Sequence, residues 1–191
     1  RHPTSARIVP PLWGLQRARR SGLDGLVEGA CAEAAAVYRE CFATLDSRSV
    51  SPIPGMPGVV RAVYDSGLRL AVASSRGHDT LDPMLKALGL FDYFELVMDH
   101  RDAGKEKPDP AMLHAIAHAF RRKPVELVMI GDTVYDLQMG RNAGSLTIGV
   151  AWGNHSRDEL AVADPWLIVD EPWEILRALG IEEPGDKEGT G

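Results

Sequence analysis

Short apolar runs alternate with helix-forming segments along residues 54–179, and this alternation limits the fold more than any other feature of the chain. The apolar runs predict strands at residues 68–73, 93–98, 127–130, 146–151 and 166–169. The segments around them predict helices at residues 57–66, 80–88, 110–120, 135–142 and 172–179. Strands that alternate with helices favour right-handed βαβ units and a parallel sheet. We therefore expect an α/β fold.

Changes in composition divide the chain into three parts. Residues 22–46 are rich in alanine and contain no proline, which predicts one long helix or two packed helices. A proline-rich break at residues 51–55 follows, and residues 182–191 are polar and rich in glycine. We expect a helical segment at residues 1–52, an α/β core with a Rossmann-like parallel sheet flanked by helices at 53–181, and a disordered tail at 182–191.

Charge and hydropathy argue against two classes of partner. The net charge of −6 does not favour a nucleic-acid-binding surface, which needs clustered excess Lys and Arg. No apolar run approaches the roughly 18 residues of a membrane span.

Cys31 and Cys41 fall on one predicted helix, about 15 Å apart, which is too far for a disulfide. Two reduced thiols fit a cytoplasmic protein.

Two carboxylates follow the apolar run at residues 127–130. Asp132 comes after Gly131, and Asp136 lies one helical turn later. Ligands bind at the carboxyl ends of strands in open α/β sheets, and carboxylate oxygens there suit a hard cation such as Mg²⁺. The alternative is that Asp132 only caps the following helix.

Small polar residues follow the first predicted strand. Ser74, Ser75 and Arg76 offer a hydroxyl group and backbone N–H groups that can bind a phosphate oxygen. The alternative is an ordinary polar turn.

Lys107 lies in a loop that Pro108 and Pro110 stiffen before the next predicted helix. A lysine held in this way can neutralise a phosphoryl group or pair with a site carboxylate, whereas most loop lysines are only solvated. His114 and His118 share a helix face but lack a third ligand, so we interpret them as helix-surface or cap residues.

The order of these segments resembles the haloacid dehalogenase-like hydrolases, and within them the phosphoglycolate phosphatase-like group with a helical cap. LAVASSRG, EKPDPAML and MIGDTVYDLQMGRNAG resemble the second, third and fourth motifs of that family. The resemblance implies that Ser74 binds the phosphoryl group and that Lys107 stabilises its charge. It also implies that Asp132 ligates Mg²⁺, that Asp136 supports the metal or its waters, and that the substrate is a small phosphorylated metabolite.

The first motif of that family, an apolar strand ending in Asp-x-Asp-Gly-Thr, does not occur in this sequence. Its two aspartates are the nucleophile and the general acid/base. The nearest string, at residues 22–26, has only Asp24 and follows a basic segment. Residues 7–13 cannot replace the strand, because Pro10 and Pro11 cannot donate to a central ladder.

The first strand is central in that family, so its loss would leave two buried strand edges unpaired, at on the order of 1–3 kcal/mol per polar group. The chain also begins with Arg and not Met. We therefore expect that the natural polypeptide extends upstream and carries this strand.

Two functions stay open. The first is a Mg²⁺-dependent phosphatase of small phosphate monoesters that acts through an aspartyl-phosphate. The second is a catalytically inactive or truncated relative that binds phosphate or another ligand. A dehalogenase is disfavoured, because that chemistry needs no metal. The sequence predicts no oligomeric state.

Overall fold

The computed structural model describes residues 51–182, which lie within one compact unit, Ser47–Gly191. Five strands occur in this part of the chain: β1 Ala71–Ser74, β2 Leu96–Asp99, β3 Val128–Gly131, β4 Leu146–Val150 and β5 Leu167–Val169. The helical segment predicted at residues 1–52, which corresponds to the helical cap that the resemblance implies, and the tail predicted at residues 182–191 fall almost entirely outside the described residues, so both stay predictions.

Seven α-helices accompany these strands within residues 51–182. They are α1 Met56–Asp65, α2 His78–Ala87, α3 His100–Ala103, α4 Ala111–Ala119, α5 Val134–Ala143, α6 Arg157–Ala161 and α7 Trp173–Ala178. Single 3₁₀ turns lie at Phe91–Tyr93 and Pro124–Glu126. No described helix combines the length and the apolar character that crossing a bilayer requires.

All strand pairs are parallel, which confirms the predicted α/β class. β1 pairs with β2, so that Ser74 lies opposite Asp99. β3, β4 and β5 form a second sheet in that order, with Gly131 opposite Gly149. Within residues 51–182 no strand pairs with both β1 and β3. The expected first strand is not among the described residues, and its presence stays a prediction.

Helix α4 packs against both sheets. Its apolar side chains form a core cluster with Met129 of β3 and Met139 of α5, and Ala71 and Ala73 of β1 pack against the same cluster. The buried residues Met112, Leu113, Ile116 and Ala117 follow a helical spacing. His114 and His118 lie on the opposite, exposed face, as predicted. Full burial of one such apolar side chain stabilises the fold by about 1.5–3 kcal/mol.

A second cluster joins the ends of the described chain. Val59 and Val63 of α1 pack with Ile148 and Val150 of β4, and with Ile175 and Leu176 of α7.

The helices α3 and α6, of four and five residues, were not predicted. Both begin with capping boxes, in which side chains bond the first free N–H groups.

Candidate active site

Lys107 connects the carboxyl end of β1 to the start of α5. Its Nζ donates hydrogen bonds to the Ala73 carbonyl at 2.8 Å and to Asp136 Oδ1 at 2.5 Å. The two side chains are almost buried, with 10% and 7% of their surfaces exposed. The predicted pairing of Lys107 with a site carboxylate is therefore observed, and the solvated alternative is wrong. Its part in catalysis stays a prediction.

Asp136 belongs to the N-terminal capping box of α5. Its Oδ2 accepts hydrogen bonds from the Thr133 N–H at 3.1 Å and the Thr133 hydroxyl at 2.6 Å. The residue that caps α5 is Thr133, so the alternative in which Asp132 is the cap is wrong. Both carboxylate oxygens of Asp136 accept hydrogen bonds from the protein. Oδ1 accepts from the ammonium of Lys107, and Oδ2 accepts from Thr133. This geometry favours an action of Asp136 through Lys107, while direct binding of a metal by Asp136 stays a prediction.

Gly131 lets the end of β3 approach this pair closely. A Cβ at this position would lie closer than 3.0 Å to side-chain atoms of Asp136. Any residue other than glycine would therefore clash with Asp136. The glycine therefore allows the carboxylate of Asp136 to sit directly against the strand end.

Asp132 presents one carboxylate oxygen. Its Oδ2 accepts hydrogen bonds from the Asn154 backbone N–H at 2.9 Å and from Asn154 Nδ2 at 2.6 Å. Within residues 51–182 no hydrogen bond reaches Oδ1, and the residue is half-buried. A carboxylate oxygen that receives no hydrogen bond from the described residues fits a hard cation such as Mg²⁺, which also keeps several waters.

Ser74 is the last residue of β1, one position beyond the predicted strand end. Its Oγ accepts a hydrogen bond from the Arg76 N–H at 2.9 Å, which leaves the hydroxyl proton available to donate. Ser75 is exposed and Arg76 is half-buried. The structure thus places Ser74 next to the Ala73 carbonyl that Lys107 contacts. Phosphate binding by Ser74, Ser75 and Arg76 stays a prediction.

A cluster around Asp99 was not predicted. Asp99 is fully buried at the end of β2, opposite Ser74. Burial disfavours its charged form, but hydrogen bonds from Arg101 and from the backbone N–H groups of Arg101, His78 and Asp102 outweigh this and hold the pKa of Asp99 well below its usual range. The spacing Asp99-x-x-Asp102, a capping box, was the signal in the sequence.

His78 ties this cluster to α2. Its Nδ1 lies 2.9 Å from Asp82 Oδ1 and its Nε2 lies 2.9 Å from Asp102 Oδ2. These two hydrogen bonds raise the pKa of His78, and the bond to Asp82 has the larger effect. His78, Asp99 and Asp102 each bring a ligand atom within 4.8 Å of the others. Hydrogen bonds join the three residues to one another, from the His78 N–H to Asp99, between the His78 ring and Asp102, and from the Asp99 N–H to Asp102. The cluster therefore fixes the end of β2 beside Ser74.

Comparison with known proteins agrees with this arrangement. A family described as haloacid dehalogenase-like hydrolase matches residues 23–150. The probable phosphatase IndB of Dickeya dadantii is 34% identical over 148 residues, which cover 75% of this chain and 64% of that relative. The pyrophosphatase PpaX of Listeria monocytogenes is 29% identical over 151 residues, which cover 79% of this chain and 70% of that relative.

A solved structure shows the same fold. The crystal structure of a predicted phosphoglycolate phosphatase from Haemophilus somnus aligns with a TM-score of 0.70 and 20% identity, over 87% of this chain and 72% of that one. The chain spans less than two thirds of the length of IndB. Since the family match covers most of the chain and agrees with the strand-end geometry, the chain belongs to the haloacid dehalogenase-like hydrolases.

Proposed function

We propose that the protein acts as a Mg²⁺-dependent phosphatase of small phosphorylated metabolites. The observation that supports this most is the buried ammonium of Lys107, which lies between the Ala73 carbonyl and Asp136 at the carboxyl ends of β1 and β3. Phosphoryl transfer depends mostly on positioning and on charge neutralisation, and a fixed cation at the strand ends serves both.

Each site residue has a separate task in this proposal. Ser74 donates its hydroxyl proton to a phosphoryl oxygen, and Lys107 neutralises charge on the same group. Asp136 holds Lys107 in place, with Thr133 fixing the other carboxylate oxygen. Asp132 would hold Mg²⁺ through Oδ1, and the ion would supply further neutralisation of the phosphoryl oxygens.

An Asp-x-Asp sequence does not occur in the 191 residues. This observation favours a second candidate, in which the chain keeps a phosphate-binding site and does not turn over its ligand. The aspartyl-phosphate mechanism, the cytoplasmic location and the identity of the metabolite stay predictions. The names of three similar proteins suggest the first substrates to be tested: an aryl phosphate for the probable phosphatase IndB, pyrophosphate for PpaX, and phosphoglycolate for the Haemophilus somnus protein.

One assay separates the two candidates. The 191-residue chain is incubated with an aryl phosphate with and without Mg²⁺, alongside Asp132→Ala. Turnover that needs Mg²⁺ and is lost in Asp132→Ala supports the phosphatase. Absence of turnover together with thermal stabilisation by inorganic phosphate, reduced in Ser74→Ala, supports the binding protein. Absence of both effects would refute both candidates.

A further inference from the structure

The turn Gly153-Asn154-His155, which follows β4, wraps around the segment 132–134. The His155 N–H donates to the Asp132 carbonyl at 3.1 Å, and the Val134 N–H donates to His155 Nδ1 at 3.1 Å. His155 is buried, so this connection is shielded from water. The turn is therefore fastened to the backbone on both sides of Thr133.

Gly153 brings the turn into direct contact with the Asp132 side chain. A Cβ at this position would lie closer than 3.0 Å to three atoms of that side chain. Only glycine allows this approach without displacing the carboxylate. The close contact puts the next residue, Asn154, within reach of Asp132.

Asn154 donates twice to one oxygen of Asp132. Its backbone N–H and its Nδ2 lie 2.9 Å and 2.6 Å from Oδ2. Two donors on the same oxygen fix the rotation of the carboxylate, and within residues 51–182 Oδ1 receives no hydrogen bond. The carboxylate is therefore held with one oxygen bound and the other presented.

From this geometry we infer that Asn154 is a positioning residue, which orients Asp132 so that Oδ1 is fixed for a divalent cation. The inference rests on the proposed function, because it needs a cation at Asp132. Hydrogen bonds to a ligating carboxylate restrict its orientation, and loss of such a partner typically weakens metal binding by about 10–100-fold. The backbone donor persists in Asn154→Ala, so we expect the lower end, a roughly 10-fold increase in the Mg²⁺ dissociation constant.

The test is a calorimetric titration of the 191-residue chain with Mg²⁺ alone, for the wild type, Asp132→Ala, Asn154→Ala and Ser145→Ala. Ser145 is the matched control, since its hydroxyl donates one hydrogen bond to the Pro124 carbonyl at 2.8 Å, beyond the opposite end of β4. We expect Ser145→Ala to bind as the wild type does. The urea midpoint without Mg²⁺ should be the same for Asn154→Ala as for the wild type, because the Asn154 side chain is exposed.

The outcomes separate this inference from the function on which it rests. The inference is supported if Asn154→Ala binds Mg²⁺ more weakly than the wild type and Ser145→Ala does not. If Asn154→Ala binds Mg²⁺ as tightly as the wild type, the inference is overturned and the metal site at Asp132 is left intact. The same holds if Ser145→Ala loses as much Mg²⁺ affinity as Asn154→Ala does. If the wild type does not bind Mg²⁺, or Asp132→Ala binds it equally well, the metal site fails and the inference fails with it.

Discussion

Replacement of Lys107 by methionine should destabilise the protein strongly. Methionine keeps most of the length of the side chain but removes the ammonium that contacts Asp136 and the Ala73 carbonyl. The carboxylate of Asp136, 7% exposed, then lies buried without its cation. Removal of one partner from a buried ion pair costs about 3–5 kcal/mol. This is a large share of the roughly 5–15 kcal/mol that stabilises a typical domain.

Lys105→Met provides the matched control in the same loop. Lys105 pairs with Asp109 at 3.0 Å, but 64% of its side chain is exposed. An exposed pair of this kind contributes about 0–1 kcal/mol, so Lys105→Met should change the unfolding free energy by less than about 1 kcal/mol. The two variants differ mainly in the burial of the ion pair.

A double-mutant cycle tests whether the loss comes from Asp136. Asp136→Asn keeps an oxygen that can accept from Thr133, and the double variant Lys107→Met with Asp136→Asn has no buried charge at this position. We expect the double variant to recover about 1–3 kcal/mol relative to the sum of the single losses, measured by urea unfolding. A loss in Lys107→Met no larger than that in Lys105→Met, or strict additivity, would refute the reasoning.

Two further predictions concern the ends of α2 and α5. The Asp82 and Asp102 carboxylates raise the pKa of His78, so protonated His78 stabilises the fold. This contribution is fully present below about pH 6.5 and is lost as pH rises through the raised pKa. The wild type should therefore exceed His78→Gln in unfolding free energy by more at pH 6 than at pH 9, and a gap that widens with pH would contradict this. Thr133→Ala removes the N-cap of α5 and should cost about 1–2 kcal/mol in urea unfolding, whereas Thr133→Ser, which keeps the hydroxyl, should cost much less; equal losses would contradict the capping role.

The order of the elements could be predicted because strand and helix periodicities are local properties of the chain. The bounds of an element differ from the prediction where tertiary packing decides them. The apolar run at residues 93–98 predicted one strand, but Phe91 and Tyr93 form a 3₁₀ turn and pack against a core cluster with Val60 and Leu81. β2 begins only at Leu96. A partly buried turn and a partly buried strand give the same apolar signal in the sequence.

The strand-end residues of the site could be predicted, as could a pairing of Lys107 with some carboxylate, but the individual partners could not. Ser74, Lys107 and Asp132 each stand out locally, as a polar residue after an apolar run or in a stiffened loop. That Lys107 contacts Asp136, 29 residues away, depends on how the two sheets lie against α4. The contact of Asn154 with Asp132, 22 residues away, depends on the close approach that Gly153 allows. Neither contact can be predicted from the separation of its two residues along the chain.

The position of Lys107 also bears on the order in which the chain folds. Its two hydrogen bonds join it to residues 34 positions before it and 29 positions after it. Loops of this size lose conformational entropy before the contact that closes them forms, so non-local contacts form slowly. The Lys107 ammonium can contact both acceptors only after β1, which carries Ala73, and α5, which carries Asp136, have formed. We therefore expect the site to assemble late in folding, so that phosphate binding would report only molecules that have completed it.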